Sequence, residues 1–191
     1  MHKLKLVLGS KSPRRQALIK ELGFEVEIRT KETEEIYPNT LELSEVPEYL
    51  AKLKAEALLD SLKDDEVLLT SDTVVLHKGE LLGKPKNSKD SLKMLNSLSN
   101  SSHTVITGVS LISNQKKCSF STQTEVFFSD INSADINRYI EQHKPFDKAG
   151  SYGIQEWLGY IGVEKINGCY YNVMGLPLHD VYNALKNNFL L

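Results

Sequence analysis

Residues 9–15 combine the residue types that bind phosphate groups in proteins. Two hydroxyls and three cations lie in the segment Gly9-Ser10-Lys11-Ser12-Pro13-Arg14-Arg15. A serine followed by proline is typical of a helix N-terminus, where unpaired N–H groups and the helix dipole attract an anion. The two arginines oppose that dipole unless an anion compensates them, and their planar forks suit phosphate. The glycine spacing of a Walker A loop is absent, so the segment is not a P-loop. Two interpretations remain open: an anion-binding site, or a capped helix N-terminus with two solvated arginines.

Asp72 is a second candidate, because it interrupts an apolar run that extends from Val67 to Leu76. Such a run normally buries both faces of a strand, and an ionised carboxylate there is costly unless it is paired or binds a metal. The pattern therefore predicts a partner for Asp72. Either the carboxylate is a general base or metal ligand in a cleft, or it caps a neighbouring helix near solvent.

Three charged residues are candidates whose spacing leaves two interpretations open. Lys84 follows Gly83 and precedes Pro85, so it is either an anion partner on a rigid turn or an exposed loop lysine. Lys54 lies at the edge of the apolar stripe of a predicted helix and can reach over the core or extend outward. Glu35, in the pair Glu34-Glu35, is either a ligand for a divalent cation or a solvated side chain.

The glycine-rich segment 147–155 is a further candidate for binding a small molecule. Its last residue is Gln155, whose amide can both donate to and accept from the edge of a nucleobase. Tyr152 and Trp157 have rings that either stack on a base or pack in the core. By itself, this segment indicates no particular ligand.

The elements that must position these residues alternate between helix and strand early in the chain and pair as strands in the middle. Helices are predicted over 13–22, from a Ser44 cap to 59, over 88–98, from a Ser133 cap to 143, and over 177–186. Strands are predicted over 3–8, 24–28, 67–76, 104–112, 118–128, 160–166 and 170–174. This order predicts an α/β fold with a mixed sheet, in one domain over residues 1–191 with two lobes around a central cleft.

Composition limits the classes of partner. The 191 residues carry a net charge of -2, although the first 20 residues hold six basic and no acidic side chains and residues 21–48 hold nine glutamates. Near-neutral charge argues against a nucleic-acid partner, and no apolar run approaches the ~18 residues of a membrane span. The two cysteines are predicted to be half-buried thiols, and the five histidines lack zinc-site spacing. A cytoplasmic protein without nucleic-acid or membrane partners is expected.

Five segments together resemble the Maf family of nucleotide pyrophosphatases, in family order and over nearly the whole chain. They are Ser10-Lys11-Ser12-Pro13-Arg14-Arg15, Ser71-Asp72-Thr73-Val74-Val75, Gly83-Lys84-Pro85, Asp147-Lys148-Ala149-Gly150-Ser151-Tyr152-Gly153-Ile154-Gln155 and Asn172-Val173-Met174-Gly175-Leu176-Pro177. The resemblance implies the elongated α/β fold of inosine triphosphate pyrophosphatases. It also implies hydrolysis of a nucleoside triphosphate at the α-phosphate, a divalent cation (Mg²⁺ or Mn²⁺) and a homodimer.

The resemblance also assigns expected roles to individual residues. Asp72 is expected to be the general base and Glu35 to assist it, both as metal ligands. The triphosphate is expected to contact Ser10, Arg14, Arg15, Lys54 and Lys84. Specificity is associated with Arg14, Thr73 and Gln155, a combination that the family shows in members acting on dTTP and UTP. Modified pyrimidine nucleotides are included in this expectation.

Two departures from the family pattern affect these expectations. Ser71 replaces the more usual alanine before Asp72, and Glu156-Trp157 follow Gln155 where small residues are commoner. The first departure changes strand packing and the second changes the shape expected of the base pocket. The alternative functions are a nucleotide-binding regulator of cell division or septum formation without essential catalysis, and a phosphatase that releases orthophosphate.

Overall fold

Seven helices and seven strands are present in a computed structural model that describes residues 5–189. The strands are β1 (Lys5–Leu8), β2 (Glu25–Ile28), β3 (Glu66–His77), β4 (Glu80–Leu82), β5 (Ser102–Ile112), β6 (Lys117–Phe128) and β7 (Val163–Asn167). The helices are α1 (Pro13–Lys20), α2 (Val46–Glu56), α3 (Ser88–Leu98), α4 (Ser133–His143), α5 (Trp157–Gly162), α6 (Tyr170–Val173) and α7 (Leu178–Asn188). Two 3₁₀ turns cover Leu59–Ser61 and Ala149–Ser151.

The strands form one mixed sheet in the order β2-β1-β3-β5-β6-β7, with β4 paired to β3. β1 runs parallel to both β2 and β3, and its Leu8 lies opposite Ile28 and Leu69. The pairs β3–β4 and β6–β7 are antiparallel. The expected α/β fold with a mixed sheet and flanking helices is therefore confirmed.

The described residues divide into two compact units. The first contains residues 5–72, 107–122 and 175–189, and the second contains residues 73–106 and 123–174. An apolar cluster in the first unit includes Val7, Ala55, Leu58, Leu68 and Ile112. In the second unit, a larger cluster joins the sheet to α3 and α4, and the fully buried ring of Tyr139 is part of it. Each unit thus has apolar packing of its own.

Two glycines of the first unit, Gly9 and Gly108, lie where neighbouring atoms leave no room for a side chain. A Cβ at Gly9, where β1 ends, would lie 2.6 Å from Cγ2 of Thr70. A Cβ at Gly108 would lie 2.2 Å from the backbone of Pro47 and Glu48, at the start of α2. Since neither position accommodates a side chain without displacement, glycine lets β5 contact α2 directly.

The structure corrects several predicted elements. α2 begins after Glu45, with no side-chain cap from Ser44, and α4 is capped by Asn132 rather than Ser133. The strand predicted over 160–166 is correct only from Val163, where β7 begins, because α5 occupies residues 157–162. The strand predicted over 170–174 is wrong, because α6 occupies residues 170–173. A glycine at 159 allows α5 to pack against the backbone of Ile154, which outweighs the strand pattern of the local sequence. The short strand β4 was not predicted.

The two cysteines are free and half-buried, as expected. Within residues 5–189, no helix combines the length and the apolar character needed to cross a membrane.

Candidate active site

The turn between β1 and α1 presents a helix N-terminus to its surroundings. Ser12 is the N-cap, and its side chain accepts a hydrogen bond from the Arg15 backbone N–H at 3.5 Å, while Pro13 opens the helix. The Ser10 hydroxyl is buried and accepts from the Ser12 N–H at 3.2 Å. The first turn holds no acidic residue. This end of α1 therefore keeps the positive dipole that favours an anion.

Arg15 connects three of the family-like segments within the first unit. Its Nε donates to the carbonyl of Gly175 and its Nη1 to the carbonyl of Ser71, each at 2.8 Å. Burial lowers the pKa of this guanidinium, whereas the nearby carboxylates of Asp72 and Glu35 act in the opposite direction. A guanidinium remains charged in any protein environment, so Arg15 brings a fixed positive charge next to Asp72.

Lys54 is the partner that the sequence required for Asp72. Its ammonium on α2 contacts Oδ1 of Asp72 at 2.5 Å and Oε1 of Glu35 at 2.8 Å. The side chain of Asp72 is 13 % exposed and that of Glu35 is 54 % exposed, so the pair is shielded from solvent at Asp72 and open at Glu35. The structure thus brings two carboxylates, Asp72 and Glu35, into contact with one ammonium, that of Lys54.

The polar residues in the middle of β3 have different surroundings. Thr70 is fully buried, and its hydroxyl donates to the carbonyl of Ala51 on α2 at 2.7 Å. The hydroxyl of Ser71 is buried and makes no hydrogen bond among the described residues. The Ser71 carbonyl, in contrast, accepts from Arg15. Ser71 therefore contacts Arg15 through its backbone carbonyl. Its hydroxyl makes no contact that explains why serine stands here instead of alanine.

The remaining predicted residues lie in the second unit. Thr73 follows Asp72 along β3 and is half-buried, and Lys84 is exposed. The carbonyl of Gly83 accepts from the N–H of Gly150 at 3.1 Å, so the Lys84 turn is hydrogen-bonded to the glycine-rich segment. Gln155 is half-buried, but its Oε1 is buried without a hydrogen-bond partner among the described residues. A buried acceptor without a donor is costly, so this oxygen calls for a hydrogen-bond partner.

The rings of Tyr152 and Trp157, which were expected either to stack on a base or to pack in the core, both contact other side chains. The Tyr152 ring is buried against His103 and Phe128, with the three rings edge to face. Its hydroxyl lies 2.6 Å from Nε2 of His103. Trp157 is half-buried and lies under the guanidinium of Arg138. Tyr152 is therefore a core residue.

Sequence reasoning missed two residues that contact the residues named above, Gly175 and Tyr139. The Gly175 carbonyl receives Arg15, and Tyr139 and Glu156 hydrogen-bond to each other beside Gln155. Gly175 stood in a recognised segment but offered no side chain to identify. Tyr139 lies on an amphipathic helix, where an aromatic residue indicates only a core position. No local pattern marked either as part of a site.

Known proteins resemble this chain over nearly its whole length. A family model described as Maf-like protein matches residues 5–188. The dTTP/UTP pyrophosphatase of Flavobacterium johnsoniae is 48% identical over 97% of this chain and 95% of its own length. The dTTP/UTP pyrophosphatase of Parabacteroides distasonis is 45% identical over 98% of this chain and 97% of its own length.

Two solved structures share the fold at low sequence identity. The Ham1 protein of Staphylococcus aureus aligns with a TM-score of 0.54 at 15% identity, covering 94% of this chain and 98% of that one. A HAM1 protein from Coxiella burnetii aligns with a TM-score of 0.52 at 17% identity, covering 96% and 99%. At these identities the likeness concerns the fold alone, and it agrees with the α/β fold expected from the sequence.

Proposed function

This chain belongs to the Maf family, and on that premise we propose that it is a nucleoside triphosphate pyrophosphatase acting on dTTP and UTP. The products are the nucleoside monophosphate and pyrophosphate. The observation that carries the proposal is the contact of Lys54 with both Asp72 and Glu35, close to the half-buried guanidinium of Arg15. Two relatives named dTTP/UTP pyrophosphatase, each covered over nearly its whole length, support the same substrates.

Triphosphate binding is assigned to cations and N–H donors. Ser10 and the N-terminus of α1 offer donors, and Arg14 and Lys54 offer positive charge that phosphate oxygens prefer. Lys84 is assigned to the same ligand from its exposed turn. Arg15 contributes charge, while its Nε and Nη1 hold the carbonyls of Gly175 and Ser71.

Asp72 is assigned as the general base for the attacking water. The water oxygen forms a bond to the α-phosphorus, its proton passes to the carboxylate, and the bond from the α-phosphorus to the bridging oxygen breaks. Pyrophosphate leaves with that electron pair. In the free protein, the Lys54 ammonium is in contact with Oδ1 of the Asp72 carboxylate. Binding of phosphate oxygens by Lys54 would release Asp72 to accept the proton.

The donor set fits a hard divalent cation such as Mg²⁺ or Mn²⁺. Asp72 and Glu35 already share one cation, the Lys54 ammonium, and they would hold the metal through their carboxylate oxygens. Magnesium is commonly bound by one or two carboxylates together with substrate phosphates. When bound, the metal supplies charge that polarises the phosphoryl group.

Base recognition is assigned to Arg14, Thr73 and Gln155. The unpartnered Oε1 of Gln155 matches the N3–H that uracil and thymine share, and the amide N–H₂ matches an adjacent carbonyl. A site built to hydrogen-bond one edge rejects bases that lack the matching group, because its buried polar atom then remains unpaired. Recognition of that edge also admits pyrimidines modified elsewhere on the ring.

The cytoplasm, where nucleoside triphosphates are abundant, is proposed as the place of action. We also propose a homodimer, which light scattering coupled to size exclusion would test through the measured mass.

A panel of canonical and modified nucleoside triphosphates, incubated with the protein and Mg²⁺, tests the proposed reaction. Pyrophosphate and orthophosphate are assayed separately, with and without a chelator. We expect pyrophosphate to form from dTTP and UTP, and we expect its formation to stop when the chelator removes the metal. Orthophosphate alone would identify a phosphatase instead. Binding without turnover would support a regulatory protein.

A further inference from the structure

The carboxylate of Glu156, which follows Gln155, is held among buried polar groups. Its Oε1 lies 3.1 Å from the Lys148 ammonium, and its Oε2 accepts a hydrogen bond from the Tyr139 hydroxyl. Lys148 is 7 % exposed and Tyr139 is fully buried. The Lys148 ammonium also contacts Oδ1 of Asp147 at 2.8 Å, on a side chain that is 57 % exposed. A buried ammonium and a buried phenol are costly without partners, and Glu156 is the acceptor that these two side chains share.

The same groups reach the middle of the loop formed by residues 150–155. The Tyr139 hydroxyl accepts from the Gly153 N–H at 3.1 Å. A Cβ at Gly153 would lie 2.8 Å from Cδ of Glu156, which shows how closely the loop backbone passes the carboxylate. Burial, and then the hydrogen bond to Glu156, raise the pKa of Tyr139. The phenol therefore stays protonated, donates a hydrogen bond to Glu156 and accepts one from the Gly153 N–H of the loop.

The other end of loop 150–155 is also fixed. The Gly150 N–H donates to the Gly83 carbonyl at 3.1 Å, and the Ser151 hydroxyl lies 2.5 Å from that of Ser91. Gly150 and Ser151 have φ values of 68° and 66°. Serine adopts this left-handed conformation only where its surroundings hold it. The backbone leading to Gln155 is thus held at its start by Gly83 and Ser91 and at its end by Glu156.

We propose that Glu156 is a positioning residue for nucleobase recognition. The inference rests on the proposed function, in which Gln155 reads the base edge. Glu156 fixes the backbone from which the Gln155 amide projects, through its contacts with Lys148 and Tyr139. The residue that departs from the small side chains of the family pattern therefore determines how strictly the pyrimidine edge is read.

Kinetics of Glu156→Ala with UTP and GTP test this role. We expect KM for UTP to rise about 10- to 100-fold and the UTP preference to fall by a similar factor, because small displacements of a positioned group have effects of this size. The turnover number should change less, since Glu156 touches none of the residues assigned to water attack. Glu164→Gln, an exposed glutamate on β7, is the matched control and should leave both unchanged. An unaltered UTP preference in Glu156→Ala would overturn the proposal.

A paired substitution separates positioning from stability. Lys148→Met combined with Glu156→Leu removes the paired charges and leaves only the Asp147 carboxylate, which is 57 % exposed and solvated, so the thermal midpoint should return toward the wild-type value. The UTP preference should stay reduced, because Tyr139 and loop 150–155 still lack their carboxylate. Recovery of the preference together with stability would show that Glu156 acts on stability only and would overturn the proposal.

Hydrogen exchange gives a readout that does not depend on activity. Amides of residues 150–155 should exchange at least about tenfold faster in Glu156→Ala, because the Gly153 N–H loses its fixed acceptor. Unchanged exchange would show that Glu156 does not hold the loop. If the wild-type protein forms no pyrophosphate from any triphosphate, the proposed function fails and the specificity role with it. Exchange would then still decide whether Glu156 orders the loop.

Discussion

Arg15→Lys separates two roles that the sequence assigns to one guanidinium. Arg15 was expected to bind the triphosphate, yet its Nε and Nη1 donate to the carbonyls of Gly175 and Ser71, both at 2.8 Å. Lysine keeps the positive charge but lacks the planar fork that reaches both carbonyls. The substitution therefore removes at least one hydrogen bond while it preserves the electrostatics of the site.

The size of the effect follows from the bond that is lost. A hydrogen bond to a charged group contributes about 1.5–3 kcal/mol to the free energy of unfolding. For a chain of this length, 1 kcal/mol shifts the thermal midpoint by about 2–4 °C, so Arg15→Lys should lower it by about 3–12 °C. The Ser71 carbonyl directly precedes Asp72, so displacement of the carboxylate should also lower kcat about tenfold or more.

Thermal unfolding followed by circular dichroism and steady-state pyrophosphate release measure the two effects. Lys20→Arg, the reverse exchange at an exposed position of α1, is the control and should leave both unchanged. If Arg15→Lys keeps the wild-type midpoint and kcat while KM rises, Arg15 acts on the triphosphate alone. That outcome would refute the positioning argument.

Three other substitutions test separate parts of the account. Asp72→Asn should lower kcat by about 10²- to 10⁴-fold, because this is the usual contribution of a general base. Nucleotide affinity, measured by calorimetry, should stay largely unchanged. A wild-type kcat in this variant would show that Asp72 is not the base. Burial lowers the pKa of His103 to about 3 from 6.5, so below pH 6.5 the unfolded chain binds a proton that the folded chain does not. This costs about 1.4 kcal/mol per pH unit down to pH 3. In urea unfolding, His103→Gln should therefore lose about 2 kcal/mol less than wild type between pH 7 and 5, and equal losses would contradict the assignment. Gly108→Ala should destabilise the fold by about 1–3 kcal/mol or more, because its Cβ meets the α2 backbone, whereas Gly83→Ala has open space and should be neutral.

Elements whose signals are local were predictable from the sequence. Ser12 and Pro13 start α1 because a hydroxyl cap and a fixed φ act on neighbouring residues only. Residues 88–98 form a helix as predicted, and the buried pattern of β3 matched its expected strand closely. Where packing between distant residues determines the secondary structure, the sequence-based prediction was wrong. Residues 170–173 have strand-like side chains but form a helix, whose buried Asn172 donates to the Val105 carbonyl and the Thr124 hydroxyl.

The candidate site shows the same division. The need of Asp72 for a partner was evident from its apolar neighbours. Lys54 was a candidate because of its position at the edge of a helix stripe, but its spacing left the direction of its side chain open. The partners of Arg15, in contrast, lie 56 and 160 residues away and are backbone carbonyls. A carbonyl carries no residue type, so no sequence pattern could reveal these contacts. The sequence did locate the basic first 20 residues, and the structure shows that one of their charges, Arg15, lies beside Asp72 and Glu35.

The position of bond cleavage tests the central claim most directly. UTP is hydrolysed in water labelled with heavy oxygen, and the products are separated and weighed by mass spectrometry. Attack of water on the α-phosphorus, with Asp72 as base, places the label in UMP and leaves pyrophosphate unlabelled. Label in pyrophosphate would show attack on the β-phosphorus. Labelled orthophosphate with UDP would show attack on the γ-phosphorus, and either result would contradict the account.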